Sequence, residues 1–189
     1  MKKYLFTPRR ANKSLKGVRA FVIAVSTLVW GLAGCDTSEE KLFNADYREW
    51  DRTVVEDLTY AIPGHGAKRR GIYINEIGTG VRRNDSVTPA RYDYPTGTIL
   101  VKENYTDIEG TVPETLTIMI KAPGDERASA EWIWLVKYNK TGEEEIIAKS
   151  EFCVNCHSSA NSEHPYGDLN KNNEFRDHVF FPYVPEPPS

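Results

Sequence analysis

A short run near the C-terminal end carries the chemistry that is easiest to name. Cys153-Val154-Asn155-Cys156-His157 sets two thiols three positions apart, with an imidazole directly after the second. On one helical turn this spacing brings both sulfurs to one edge of a flat macrocycle, where they can add to its two vinyl groups. The adjacent histidine is then left beneath the metal. The pattern is the attachment signature of a c-type haem, with Cys153 and Cys156 as thioether anchors and His157 as axial iron ligand. Two other chemistries use paired cysteines. A redox dithiol belongs in a βαβ setting, which the surrounding sequence lacks. A zinc site would have to be completed by His164 or His178, and neither falls at a usual ligand spacing. No methionine follows His157, and Met119 lies in an apolar run where it reads as core filling. The expected iron therefore has one protein ligand and an open distal face, with His164 or His178 as the alternative sixth donor.

The elements that must hold this motif are mostly strands. Gly71–Asn75, Thr98–Tyr105, Glu114–Lys121 and Glu131–Tyr138 are β-rich or alternate in polarity, and turn chemistry separates them. Pro95-Thr96-Gly97, Ala122-Pro123-Gly124-Asp125 and Asn139-Lys140-Thr141-Gly142 are the clearest of these turns. Short spacing without helical crossovers predicts an antiparallel sheet. Tyr47, Trp50, Val54 and Leu58 recur at three-to-four spacing, which predicts an amphipathic helix over Asp46–Leu58 capped at Asn44. A second helix near 143–160 is expected to carry the cysteines. The expected fold is α+β, a single antiparallel sheet-rich domain with a helix at each end. Its haem domain spans 44–183, followed by a proline-rich tail at 184–189. The tail from Pro182 is expected to be extended and loose.

Composition is uneven along the chain. All seven basic residues of 1–34 stand without an acidic one, and Ala20–Gly34 is an uncharged apolar stretch. A basic leader, a short apolar segment and small residues at its end describe a secretory signal, shorter than the roughly 18–20 apolar residues that span a bilayer. Leu32-Ala33-Gly34-Cys35 resembles the lipobox of bacterial lipoproteins, which implies cleavage after Gly34 and lipidation of Cys35. The mature chain would then start with a tether, 35–43, and sit on the periplasmic side of a bacterial membrane through its lipid anchor. Of 24 basic residues, 17 stay in the mature chain beside all 27 acidic ones, a balance of −10. Such a surface excludes nucleic acid as a partner. It also leaves membrane attachment to the acyl chains.

Taken in order, several segments resemble the cytochrome P-460 family, which includes the cytochromes c′-beta. They are Tyr47-Arg48-Glu49-Trp50, Gly64-His65-Gly66, Ile72-Tyr73-Ile74-Asn75, Tyr94–Glu103, the Trp132/Trp134 strand, the cysteine motif and Asp177-His178-Val179-Phe180. The resemblance implies one covalently bound haem c, five-coordinate, on a β-rich fold that handles small nitrogen ligands, and is compatible with a homodimer. One branch oxidises hydroxylamine, passing electrons to a partner cytochrome, and carries a lysine bonded to a haem meso carbon. The other binds nitric oxide or carbon monoxide without turnover. Lys102 matches the position of the cross-linking lysine. Alternation puts it on the face of Thr98 and Leu100, opposite Ile99, Val101 and Tyr105. Attack on a haem carbon needs a neutral amine, hence a site that lowers its pKa. Hydroxylamine oxidation also needs a proton acceptor, for which Glu103, Glu151 and His65 are candidates, with Glu103 expected to point away from Lys102. Tyr105, Trp132, Trp134 and Phe152 are candidate walls of the distal pocket.

Overall fold

The computed structural model describes residues 41–62, 65–147 and 151–185. The leader, Cys35 and the last four residues lie outside them. Eight strands are present among the described residues: β1 (Asp51–Arg52), β2 (Arg69–Ile74), β3 (Arg82–Asn84), β4 (Arg91–Asp93), β5 (Ile99–Tyr105), β6 (Thr115–Lys121), β7 (Trp132–Tyr138) and β8 (Glu144–Ile146). Six of them make one antiparallel sheet in the order β1-β2-β5-β6-β7-β8. The pair β3-β4 is a separate hairpin lying between β2 and β5 in the chain. Helices are short: α1 (Glu76–Thr79) and α2 (Glu151–Ser158).

Both faces of the sheet carry buried apolar clusters, so its central strands place apolar residues on each side. Ile74, Leu100, Trp132 and Trp134 form a core on one face with Val81, Tyr92, Tyr94 and Val179. Val101, Leu116, Ile118 and Leu135 form a core on the other, closed by Phe43. Antiparallel partners share a face, so the register sets Ile72, Lys102, Thr117 and Val136 in one cross-strand row. The row Ile74, Leu100, Met119 and Trp134 lies beside it. Lys102 therefore stands amid apolar neighbours, on the face that α2 covers.

The helix expected over Asp46–Leu58 does not form. A 3₁₀ turn, Tyr47–Glu49, is followed by β1, and Leu58 bridges to Arg70. Three consecutive β-branched residues, Thr53-Val54-Val55, disfavour a helix. The segment instead supplies an edge strand, while Tyr47 and Trp50 pack on Phe43. Asn44 caps nothing. The second helix begins later than expected, because Glu144–Ile146 turns back as β8 along β7. Gly142 makes that reversal at φ 72, a left-handed value that favours glycine. Tyr183, just before the proline-rich tail, packs on the first core and its hydroxyl donates to Asp51 Oδ2 at 2.8 Å.

Candidate haem site

Helix α2 holds all five residues of the cysteine motif and sets Cys153, Cys156 and His157 on the wall of a cavity of about 300 Å³. Apolar side chains make most of the rest of the wall, among them Ile72, Leu100, Met119, Trp134, Phe152 and Phe180. His157 is packed edge-on against Trp134 and Phe180, at ring-centre distances of 4.9 and 5.3 Å. Its Nδ1 lies 2.8 Å from the backbone oxygen of His178. A carbonyl can only accept, so Nδ1 carries the proton and Nε2 keeps its lone pair for a metal. Burial, followed by the charge of Lys102, pushes the ring's pKa down to about 4, so it is neutral at physiological pH.

Lys102 projects into the same cavity. Its Nζ lies 2.9 Å from Nε2 and 3.0 Å from Nδ1 of His65. Burial, then the nearby Arg70 guanidinium, lowers the amine's pKa to about 7. His65, on the loop before β2, is lowered further, to about 3, by burial and by the charges of Lys102, His157 and Arg70. Arg70 is fully buried. It donates to the backbone oxygen of Tyr60, while its Nε and Nη1 have no hydrogen-bond partner among the described residues. The site thus sets two neutral imidazoles and a partly deprotonated amine near one buried guanidinium.

Other expected site residues divide. Trp134 and Phe152 line the cavity, the latter 67% exposed at its mouth. Trp132 is wholly buried in the core, and Tyr105 faces the opposite side of the sheet, where its hydroxyl donates to Glu103 at 2.8 Å. Glu103 also accepts from Tyr47 at 2.7 Å and from Arg48 at 3.0 Å. It points away from Lys102 and cannot serve the cavity as a base. The side chain of Glu151 lies outside the described residues. His164 is buried among Tyr166 and Phe180, and His178 contributes its carbonyl rather than its ring. Among the described residues no group of three or more His, Cys, Asp or Glu is placed to hold a metal ion. Arg70 and the carbonyl of His178 were not foreseen from sequence. The available signal was the pair Arg69-Arg70 opening the strand that runs on as Gly71-Ile72-Tyr73-Ile74.

The model of the family described as Cytochrome P460 matches residues 44–181. The chain belongs to the cytochrome P460 family. No curated protein matches it in a sequence search. A cytochrome P460 is a c-type haem protein, and the residues present fit that group. Two thiols and an imidazole with an open Nε2 share one helix facing one apolar cavity.

Proposed function

We propose that this chain is an exported, lipid-anchored cytochrome P460 that oxidises hydroxylamine, with one haem c held by Cys153 and Cys156, ligated by His157 and bonded to Lys102. The observation that carries this reading is the place of Lys102. Its amine projects into the cavity that the two cysteines and His157 line, and among the described residues it pairs with the ring of His65 and with no carboxylate. A partly deprotonated amine is what nucleophilic attack on a ring carbon requires.

When bound, the haem supplies an iron that takes a small nitrogen ligand and a route for the electrons removed from it. The chain's own residues do the rest. The Nδ1–H of His157 is tied to the His178 oxygen, which holds Nε2 toward the metal. Trp134, Met119 and Leu100 exclude water from the reacting centre. His65 is the proton acceptor this reading places in the cavity, because its ring lies on the wall within 2.9 Å of the Lys102 amine; Glu151, whose side chain lies outside the described residues, is the other candidate. The neutral ring of His65 takes a proton at a nitrogen within hydrogen-bond reach of Lys102. Electrons then leave to a second cytochrome. The leader and Cys35 support export and lipidation on the periplasmic side.

The largely apolar wall also suits the second reading, a nitric oxide or carbon monoxide binding protein with Lys102 unbonded. Mass spectrometry and the optical spectrum of the purified holoprotein separate the two. A tryptic peptide joining Lys102 to the haem peptide, with a strongly red-shifted Soret band, is the expected result. Separate peptides with an ordinary five-coordinate high-spin spectrum would sink the enzyme and favour gas binding. A low-spin six-coordinate spectrum would favour simple electron transfer.

A further inference from the structure

The carbonyl that fixes His157 lies 21 residues further on, in a segment without regular structure. Something must hold it there. Asp177 and His178 are consecutive non-glycine residues at φ 50 and φ 70. Left-handed backbone costs roughly 1–2 kcal/mol per residue and persists only where the surroundings impose it. Two restraints act on this turn. From the α2 side, Asn161 Oδ1 accepts the N–H of His178 at 3.3 Å and that of Arg176 at 2.8 Å. From the sheet, Lys121 at the end of β6 donates to Asp177 Oδ2 at 2.6 Å. Both charged side chains are nearly excluded from solvent, at 7% and 9% exposure. The Lys121 ammonium also sits 5.2 Å from the Trp132 ring centre and 2.8 Å from Glu131.

We infer that the buried Lys121–Asp177 pair is the positioning device of the axial ligand. By clamping the left-handed turn, it holds the His178 oxygen against the Nδ1–H of His157. This inference rests on the reading of His157 as the iron's ligand. Lys121 and Asp177 line a different pocket from the one that holds the cysteines, so they act through the turn and not by contact with the reacting centre. A hydrogen bond from Nδ1–H gives the imidazole partial anionic character, strengthens its donation through Nε2, and favours the ferric state. Losing the clamp therefore weakens the iron–histidine bond and raises the midpoint potential.

The test uses the holoprotein and its Lys121→Met/Asp177→Asn double variant, which keeps the net charge and leaves no unpaired buried ion. Asp177→Asn alone is the companion variant. The readouts are the iron–histidine stretching band of the ferrous protein by resonance Raman and the midpoint potential by redox titration. Both variants are expected to lower the stretching frequency. The double variant should also shift the ferric–ferrous balance roughly tenfold toward ferrous, about 59 mV for one electron. A fall in melting temperature with band and potential unchanged would reduce the pair to a structural role and overturn the inference. A wild-type protein with no iron–histidine band that His157→Gly removes would overturn the ligand assignment beneath it.

Discussion

The amine of Lys102 lies within 3.0 Å of both nitrogens of His65, in a largely apolar pocket with the Arg70 guanidinium nearby, and its titration follows from that. Burial depresses the lysine, so between about 7 and its ordinary value of 10.5 the folded protein holds fewer protons than the unfolded chain. Stability must then rise with pH across this window and be lost as pH falls through about 7. For protein whose Lys102 is unbonded, this group's slope approaches 1.4 kcal/mol per pH unit at most. Urea melts from pH 6 to 10 should show that slope in the parent and not in Lys102→Met; parallel curves would mean that the amine is hydrated. The side chains that create this chemistry were unequally legible. Cys153, Cys156 and His157 are read from spacing alone, because their roles need only one turn of helix. His65 reads as a turn residue flanked by glycine. The Ile62–His65 and Leu58–Arg70 bridges bring its loop to the cavity, and those pairings leave no local mark in the sequence.

At the scale of elements, the two faces of β5 do different work. Lys102 and Leu100 face the cavity, while Glu103 on the opposite face gathers the hydroxyls of Tyr47, Tyr105 and Tyr73 and the guanidinium of Arg48. Glu103→Ala would leave three phenols without their acceptor and is expected to cost about 3 kcal/mol in urea unfolding. The optical spectrum of the holoprotein should not change, since nothing of that cluster enters the cavity; an altered Soret band would contradict the division of faces. The four long strands were legible because alternation and turn residues agree. The first helix was misread because Tyr47, Trp50, Val54 and Leu58 satisfy a helical period by coincidence. Tertiary demands decide that segment: the Tyr47 hydroxyl is drawn to Glu103, and β1 pairs with Ile74 and Tyr73. β8 was missed because three residues are too few to show a period.

Across the whole molecule, net charge is the property that meets a partner first. On the proposed removal of residues 1–34, the balance of the remaining chain is −10, which steers a basic redox partner and repels an acidic one. The rate of reduction of a basic acceptor cytochrome should fall by roughly tenfold or more between about 0.01 M and about 0.2 M salt. Stopped-flow measurements check this, and a flat salt dependence would argue for an uncharged docking patch. Cys35→Ser should move the protein from the membrane fraction to the soluble fraction of export-competent cells, without altering its spectrum. The position of Lys102 opposite α2 also has a topological consequence. Where Lys102 is bonded to the group that Cys153 and Cys156 hold, the chain is closed into a ring of about 50 residues running through β6, β7 and β8. By the entropy of loop closure alone, such a staple removes about 4 kcal/mol of disorder from the unfolded chain. A bond made for reactivity would thus also act, in a protein that carries no structural disulfide among its described residues, as the cross-bridge that resists unfolding.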